Sequence, residues 1–250
     1  MILINGKPFL ISKAKKQNYS LRTIADFKTK ILEKRLSGTL FAYQGTEVWT
    51  QLIGEFNIYN LTAIIATAEL LGLEKLDVLT IVSALKSVDG RFEYVVSKDN
   101  ITVIVDYAHT PDALKNVLET INDIRTGNEK VITVIGCGGD RDELKRPKMG
   151  YIASQLSNEV LFTSDNPRSE NPQGILDAME VGVSPENFKK TLSVLDRRQA
   201  IKTACRLSQP GDILLIAGKG HETYQEINGE RSYFSDMEEV KKCFKMLKNN

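Results

Sequence analysis

Short runs of β-branched and other apolar residues alternate with longer stretches of helical period from about Ile101 to the end of the chain. The runs are apolar at consecutive positions, which is typical of strands in a parallel sheet that is covered on both faces. They predict strands at Ile101 to Val105, Val131 to Ile135, Val160 to Phe162, Thr191 to Val194 and Ile213 to Ala217. Because this order repeats a βαβ unit, we predict an α/β, Rossmann-like fold with a mostly parallel sheet.

The stretches between these runs carry helix signals. Apolar residues recur at i, i+3, i+4 and i+7, so that each helix has one apolar stripe. The two clearest stripes are Leu114, Val117, Leu118, Ile121 and Met149, Ile152, Ala153, Leu156. Thr110-Pro111 and Asn171-Pro172 each place a capping side chain before a proline at the first helical position. Ser235 has capping-box spacing to Glu238, and Asn228-Gly229 predicts a tight hairpin between Tyr224 and Phe234.

Residues 1 to 88 follow a different pattern. Strand-like pieces separated by turns extend to Leu52, and helical stretches follow near Asn57 to Leu71 and Asp77 to Ser87. One face of the first of these helices carries Leu61, Ile64, Ile65 and Ala68. Glycine can absorb a large backbone rotation between packed units. Asp89-Gly90-Arg91 is therefore the predicted boundary between two domains, 1–88 and 89–250.

Four polar, glycine-rich segments follow predicted strands directly. They are Asp106 to Thr110, Gly136 to Arg141, Thr163 to Arg168 and Gly218 to Glu222. The carboxyl ends of parallel strands share one edge of an open sheet, and ligands bind in the crevice there. We therefore expect these four loops to form one site.

The side chains of these loops suit a small zwitterion. Arg141 and Arg168 can hold carboxylates through paired, charge-assisted hydrogen bonds, whereas Asp165, Asn166 and Glu222 can accept from ammonium groups. A plainer interpretation makes Asp165 and Arg168 a solvated surface pair and the glycines simple turn residues. The placement of all four loops on one edge favours the binding site.

Nucleotide chemistry has weaker support from the motifs of the chain. No G-x-x-x-x-G-K-[ST] sequence is present, and Gly136-Cys-Gly-Gly lacks the G-x-G-x-x-G spacing of dinucleotide sites. His109 and His221, the only histidines, lack the spacing of metal ligands. Cys137 has no neighbouring histidine that could activate it, so we expect a small buried thiol.

Composition excludes several classes of function. Lys and Arg number 33 against 32 Asp and Glu, so the net charge of +1 gives no general attraction to nucleic acid or an anionic membrane. Three widely spaced cysteines favour a reducing compartment over a disulfide framework. No apolar stretch approaches the roughly 18 residues that span a bilayer, and the first residues lack signal-peptide organisation. We therefore expect a soluble, cytoplasmic protein with small-molecule partners.

Seven segments, taken in order, resemble the Mur ligase family. They are Leu52 to Asn60, Gly90 to Glu93, Val105 to Asp112, Gly136 to Asp142, Lys145 to Pro147, Asp165 to Arg168 and Gly218 to Glu222. The resemblance is strong from about Gln17 onward. It implies that residues 89–250 form the carboxyl-terminal, amino-acid-binding α/β domain of the family. Residues 1–88 are then the tail of a central α/β ATP-binding domain.

The resemblance also implies residue roles. The residues expected to hold meso-diaminopimelate are Arg141, Asp165, Asn166, Pro167, Arg168, Gly218 and Glu222. Those expected near ATP are Asn57 and Asn60 at adenine, Asp106 at ribose, Arg91 at the phosphates and His109 on the nucleotide side. In the family the Walker A lysine and the Mg²⁺ ligands precede the part that this chain resembles. We therefore assign no metal ligand, catalytic residue or general base within the chain.

The implied activity is ADP-forming amide synthesis in peptidoglycan assembly. In the family, ATP phosphorylates the terminal glutamate of UDP-N-acetylmuramoyl-L-Ala-D-Glu, and the amine of diaminopimelate attacks the acyl phosphate. Without the phosphate-binding lysine and Mg²⁺, we expect the chain alone to be inactive. Two alternatives remain open: a non-catalytic amino-acid-binding module or half of a split ligase that needs an upstream partner, and a sibling amide ligase such as a folylpolyglutamate synthetase.

Overall fold

A computed structural model describes residues 15–247 of the chain. The first fourteen residues, which carry most of the sequence argument against a signal peptide, lie outside the described residues. The chain divides into two compact units, with the division between Lys86 and Ser87. This point lies two residues before the predicted boundary at 88. No helix within residues 15–247 combines the length and apolar character needed to cross a membrane.

The first unit contains a four-stranded sheet and two helices. The strands are β1 Tyr19–Ser20, β2 Phe27–Arg35, β3 Gly38–Tyr43 and β4 Thr46–Thr50, and the helices are α1 Glu55–Leu70 and α2 Lys75–Ala84. The sheet order is β1-β2-β3-β4, with β1 parallel to β2 and the remaining pairs antiparallel. Both helices pack against the sheet and enclose Phe41, Tyr43, Ile58 and Ile65.

The second unit is built on a six-stranded sheet in the order β5-β6-β10-β7-β8-β9. The strands are β5 Glu93–Val96, β6 Thr102–Asp106, β7 Val131–Ile135, β8 Glu159–Phe162, β9 Thr191–Ser193 and β10 Ile213–Ala217. Five are mutually parallel, and β5 is an antiparallel edge strand. Every residue of β6, β7 and β10 is buried, which confirms the prediction of a sheet covered on both faces.

Five helices and a 3-10 helix flank this sheet. They are α3 Pro111–Ile124, α4 Lys145–Leu156, α5 Pro172–Glu180, the 3-10 helix Pro185–Lys190, α6 Arg197–Leu207 and α7 Asp236–Leu247. Helices α3, α4 and α5 pack in series, and α6 packs with α7 over a core that includes Val103, Val134, Leu161 and Ile216. The α/β fold with a mostly parallel sheet is thus confirmed.

The predicted helix starts and the hairpin are also present. Thr110 and Asn171 accept hydrogen bonds from Ala113 N and Gln173 N, and proline is the first helical residue in both cases. Ser235 Oγ accepts from Glu238 N at 3.4 Å. The hairpin consists of β11 Tyr224–Ile227 and β12 Glu230–Tyr233, which pair antiparallel around Asn228-Gly229.

Three details differ from the sequence prediction. Strand β5 was not predicted, because Glu93-Tyr-Val-Val96 is short and alternates between half-buried and exposed residues at the sheet edge. Ile64 was predicted to share the buried face of α1 but is 53% exposed. Trp49 is the single tryptophan, a residue type that the sequence favours as a packed core aromatic, but it is 37% exposed. The prediction for Ile64 is wrong because apolar residues surround most of α1, so the helical period does not identify one buried face.

Candidate functional site

The four predicted loops follow adjacent parallel strands of the second unit. They leave β6 at Asp106, β10 at Ala217, β7 at Ile135 and β8 at Phe162. The register runs Asp106, Ala217, Ile135 across three neighbouring strands, and Ile135 pairs with Phe162 on the fourth. The loops therefore emerge side by side at the carboxyl edge of the sheet, as the sequence predicts.

Glycines allow the β7 and β8 loops to touch through their backbones. A Cβ on Gly139 would lie 1.9 Å from Pro167 O, and one on Gly136 would lie 2.3 Å from Thr163 O. Gly139 N donates to Asn166 O at 2.9 Å. No larger residue fits at either glycine without moving the backbone, so the close approach of these loops explains both glycines.

Asn166 is a hub of the β8 loop. Its Oδ1 accepts from Glu226 N at 3.0 Å, and its Nδ2 donates to Glu222 Oε2 at 2.8 Å. Asp165 O accepts from Gln225 Nε2 at 2.9 Å. Asp165 and Asn166 are buried, and these contacts attach them to the hairpin and to the β10 loop.

Arg168 is held in an unusual backbone conformation. Its φ of 54° lies in the left-handed region, and its N donates to Glu226 O at 3.0 Å. One guanidinium nitrogen, Nη1, donates to Gly139 O at 2.8 Å. The side chain is half-buried, and no ion pair to Arg168 occurs within the described part of the chain. The loop thus fixes the guanidinium while leaving its charge available.

Arg141 lies outside this network. It is exposed, and its Nη1 donates to Asp140 O at 3.4 Å. Asp140 itself accepts from Ser169 Oγ at 2.7 Å, and its N donates to Glu170. Hydrogen bonds from Ser169 lower the pKa of the Asp140 carboxyl group. A Cβ on Gly138 would lie 2.9 Å from Arg168 Nη1 and 3.8 Å from Arg141 Cγ, so both arginines lie beside this glycine, and the carboxylate-binding role of Arg141 stays a prediction.

Lys219 is a buried member of the site that the sequence analysis did not single out. Its side chain has no exposed surface, and Nζ lies 3.3 Å from Asp165 Oδ1, 3.0 Å from Asn166 Oδ1 and 3.2 Å from Glu222 Oε2. Its position between Gly218 and Gly220 in a strand-end loop was the available signal. The sequence excludes a Walker A loop there, because Gly220 follows Lys219 where the motif needs Ser or Thr, and motif analysis assigns this lysine no other role.

Gly218 brings the β10 backbone close to Asp165. Its φ is 111°, and a Cβ there would lie 3.0 Å from Asp165 Oδ2. This conformation favours glycine, and the missing side chain leaves space beside the carboxylate. Gly218 N donates to Asp106 O at 3.1 Å, which links the β10 and β6 loops.

Tyr107 connects the cluster to the residues expected near a nucleotide. Its hydroxyl donates to Glu222 Oε1 at 3.4 Å, and Glu222 contributes to raising the pKa of the phenol, after burial. The ring lies 4.8 Å from the guanidinium carbon of Arg91, and its centroid lies 4.5 Å from that of His109. The His221 ring is tilted by 43° against the Tyr107 ring, and their centroids lie 5.2 Å apart. Arg91, His109 and Glu222 thus surround one tyrosine.

Asp106 supports the loop between the unit boundary and β5. It is buried, and its Oδ2 accepts from Phe92 N at 2.7 Å. Burial raises the pKa of the Asp106 carboxyl group, whereas hydrogen bonds from the Phe92 and Ala108 amides and the charge of Arg91 oppose that rise. The predicted ribose contact of Asp106 stays a prediction, and the structure gives this carboxylate a role in holding the loop.

The other two nucleotide candidates belong to the first unit. Asn57 Nδ2 donates to Ile53 O at 2.7 Å, and Asn60 is exposed on α1. Their expected contacts with adenine stay predictions.

Cys137 lies directly after β7, and its buried environment makes its thiol unreactive. Cys137 is buried, and burial raises the pKa of its thiol to about 12, in agreement with the expected inert cysteine. Among residues 15–247, no cluster of three or more His, Cys, Asp or Glu side chains could hold a metal ion.

A buried ion pair lies beneath the β10 loop. Arg197 and Asp236 have no exposed side-chain surface, and both Nε and Nη2 of Arg197 lie 2.8 Å from the Asp236 carboxylate. Nη2 also donates to Ala217 O at 3.0 Å, at the end of β10. This pair attaches α6 and α7 to the strand that leads into the site.

Comparison with known proteins adds family information. Residues 90–220 match the family described as "Mur ligase, glutamate ligase domain". The chain is 54% identical over 236 residues to a UDP-N-acetylmuramoyl-L-alanyl-D-glutamate–2,6-diaminopimelate ligase of Cytophaga hutchinsonii, covering 94% of this chain and 48% of that protein. A protein of the same name from Bacteroides thetaiotaomicron is 48% identical, with coverage of 93% and 48%.

Solved structures agree with this similarity. A structure of a UDP-N-acetylmuramoyl-L-alanyl-D-glutamate–2,6-diaminopimelate ligase has a TM-score of 0.68 at 38% identity, covering 94% of this chain and 48% of that one. Folylpolyglutamate synthase from Thermotoga maritima has a TM-score of 0.60 at 21% identity, covering 77% and 44%, which is a likeness of fold alone. The chain thus spans about half the length of the curated relatives described above.

Proposed function

Because the chain belongs to the Mur ligase family, we propose that its second unit holds the incoming amino acid, meso-diaminopimelate, for ATP-dependent amide synthesis. The acceptor would be UDP-N-acetylmuramoyl-L-Ala-D-Glu, and the bond would form through an acyl phosphate. The names of the similar proteins support this choice of substrates. The observation that carries it is the preformed cluster of Asp165, Asn166 and Glu222 beside the fixed Arg168 guanidinium.

The charges of the cluster suit one ammonium group. Asp165 and Glu222 bring two negative charges, and the buried Lys219 brings one positive charge, so these three side chains sum to −1. An ammonium group at the open side of Asp165 and Glu222 would neutralise this charge. A ligand cation next to desolvated carboxylates forms strong hydrogen bonds.

Arg168 supplies the complementary charge for a carboxylate. Diaminopimelate carries a second carboxylate at its distal carbon, and lysine does not. With Nη1 bound to Gly139 O, the remaining guanidinium donors can form a paired contact with that group. Because Nη1 is already bonded to Gly139 O, less side-chain freedom is left to lose on binding.

Phosphoryl transfer from ATP requires more groups than the residues of the amino-acid site. ATP with Mg²⁺ supplies the phosphoryl group in this proposal, and Arg91 beside Tyr107 is the cation of the second unit that could approach a phosphate. We assign no side chain among residues 15–247 to magnesium. Since ATP and nucleotide sugars are cytoplasmic metabolites, we propose a cytoplasmic location.

Direct binding tests the amino-acid site. Calorimetric titration of the chain with meso-diaminopimelate should give binding, with weaker binding of L-lysine. Charge-assisted hydrogen bonds contribute roughly 1.5 to 3 kcal/mol, so Arg168→Ala should weaken diaminopimelate binding by about ten- to a hundredfold and spare lysine. Arg125→Ala is the matched control, because Arg125 lies at the carboxyl end of α3 and binds Glu129 O. If Arg168→Ala still prefers diaminopimelate over lysine to the same degree, the distal carboxylate is not bound by this loop.

A second assay separates binding from turnover. The sequence contains no Walker A motif, so the chain by itself should release no phosphate from ATP when given the dipeptide substrate and diaminopimelate. Amide formation by the chain alone would contradict this expectation. Binding of diaminopimelate without turnover would agree both with a partner-dependent ligase half and with a binding module. Restored turnover with an upstream ligase half would decide between them.

A further inference from the structure

The ammonium group of Lys219 is fully occupied inside the protein. A lysine has three N–H donors, and Nζ of Lys219 has three acceptors at 3.0 to 3.3 Å, from Asp165, Asn166 and Glu222. The side chain has no exposed surface. Lys219 therefore cannot reach a phosphate or an amino acid without breaking this cluster.

These contacts determine the orientation of the Asn166 amide. Its oxygen accepts from two donors, Lys219 Nζ and Glu226 N, so its nitrogen must point away from both. That nitrogen donates to Glu222 Oε2, the oxygen that also faces Lys219. One carboxylate oxygen of Glu222 is thus held twice, and Oε1 remains on the side of Tyr107.

The cluster buries charged groups, which must be paired to be stable. Moving an ammonium group from water into a protein interior carries a desolvation penalty, and removing one partner of such a cluster leaves an uncompensated charge. The Lys219 charge joins three segments of chain: the β8 loop, the β10 loop and, through Asn166, the start of the hairpin. The β8 and β10 loops carry predicted contacts to the amino acid, and the hairpin holds the β8 loop through Glu226 N.

We propose that Lys219 is a positioning residue for the amino-acid site, acting through Asn166 and Glu222 and making no contact with the ligand. This inference rests on the proposed function for the identity of the ligand. Lys219 orients the Asn166 amide, and Asn166 orients Glu222. The carboxylate oxygens that Lys219 does not contact, Asp165 Oδ2 and Glu222 Oε1, then form an acceptor for one ammonium group, with Tyr107 as a further partner of Glu222 Oε1.

The test starts with Lys219→Met, which keeps the side-chain length and removes the donors. Diaminopimelate affinity, measured by calorimetry on the full chain, should fall by about ten- to a hundredfold, the effect of lost charge-assisted hydrogen bonds. In ligand-free protein, the Glu226 amide should exchange about tenfold faster or more, because Asn166 Oδ1 loses its fixed position. The Asn166 side-chain amide resonances should shift as well.

Lys190→Met is the matched control. Lys190 is half-buried in the same unit, and its Nζ donates to Ser157 O at 3.0 Å, next to β9. This variant should leave both the affinity and the Glu226 exchange rate unchanged within error. An equal loss of affinity in both lysine variants would mean a general loss of stability and would overturn the positioning role.

A charge-balanced variant covers the case in which Lys219→Met does not fold. Lys219→Met with Glu222→Gln removes one charge of each sign, and its reference is Glu222→Gln alone. Faster Glu226 exchange in the double variant supports the inference, and equal exchange overturns it. If the unaltered chain binds no diaminopimelate, the proposed function fails, while the exchange comparison still decides the role of Lys219. If the unaltered chain binds and Lys219→Met binds equally well, only the inference fails.

Discussion

The two units differ in how completely their apolar surfaces are covered. In the second unit, β6, β7 and β10 are buried at every residue, and α3 buries its apolar stripe while its other side is polar. In the first unit, α1 and α2 bury residues such as Ile58 and Leu79 against the sheet. They also expose large apolar side chains, among them Ile64 at 53% and Ile81 at 65%.

This contrast teaches that a regular fold does not ensure a covered surface. A helix that is apolar on most sides is typical of the interior of a larger core, whereas an amphipathic helix satisfies one sheet and water. The second unit therefore has what it needs for local stability. We expect local unfolding of the first unit to need less free energy, because fewer of its apolar side chains are buried.

The two units also differ in the burial of their ion pairs, and this difference gives the largest expected effect on the free energy of unfolding. Arg197→Ala leaves Asp236 buried without a partner and should destabilise the second unit by about 3 to 5 kcal/mol. In the first unit, Arg22→Ala removes an exposed pair with Glu55 and should cost less than about 1 kcal/mol. Urea denaturation followed by circular dichroism measures both.

The single tryptophan provides an internal control for this measurement. Trp49 lies in β4, so its fluorescence reports on the first unit alone. In Arg197→Ala the Trp49 transition should stay in place while the dichroism transition moves to lower urea. If both move together, the units unfold as one and the comparison is wrong.

Packing between helices of the second unit gives the next effect. A Cβ on Gly150 in α4 would lie 2.0 Å from Met179 O at the end of α5, so Gly150→Ala should destabilise by about 1 to 3 kcal/mol. Gly174 in α5 has open space around it, and Gly174→Ala should stabilise by up to about 1 kcal/mol. Thermal unfolding of both variants checks the opposite signs. A loss of stability in Gly174→Ala of the same size as in Gly150→Ala would contradict this explanation.

Hydrogen exchange sharpens the comparison without any substitution. Amides in α1 and α2 should exchange at least about tenfold faster than those of β6, β7 and β10, because local opening of the first unit needs less free energy. Mass spectrometry of peptic fragments resolves the two sets. Equal protection of residues 52 to 87 and of the sheet after Ile101 would count against an incompletely covered first unit.

The smallest effect on stability concerns the exposed apolar residues themselves. Leu76→Glu and Ile81→Lys should each change the free energy of unfolding by less than about 0.5 kcal/mol, since both side chains are 65% exposed. They should lower concentration-dependent association measured by sedimentation. The matched control is Val181→Lys, at an 80% exposed position of the second unit. The control should leave association unchanged.

The sequence predicted the parts whose pattern has one physical cause. Val131 to Ile135 and Ile213 to Ala217 match β7 and β10, because a strand covered on both faces needs apolar residues throughout. Thr110 and Asn171 cap helices where proline follows. Patterns with two causes were less informative. Ile64 was assigned to the wrong face of a helix that is apolar on most sides, and β5 is too short and too exposed at the sheet edge to be predicted.

The candidate site, too, was predictable in one respect and not in another. Placement of four loops on one edge comes from topology, so Asp165, Asn166 and Glu222 could be grouped in advance. Their hydrogen bonds could not, because which acceptor faces which donor depends on rotamers and on hairpin backbone atoms distant in sequence. Lys219 shows this limit: the sequence does not reveal that this lysine is buried, and its burial makes it an internal cation.

The hairpin holds the β8 loop mainly with its backbone. Arg168 N donates to Glu226 O, Asn228 N donates to Arg168 O, and Asn166 accepts from Glu226 N. Side chains of β12, such as that of Ser232, point into solvent. An exposed cysteine in place of Ser232 would be distinct from Cys137, Cys205 and Cys243, all of which are buried. A single dye on this strand would therefore report by fluorescence on the surroundings of the hairpin that holds the β8 loop.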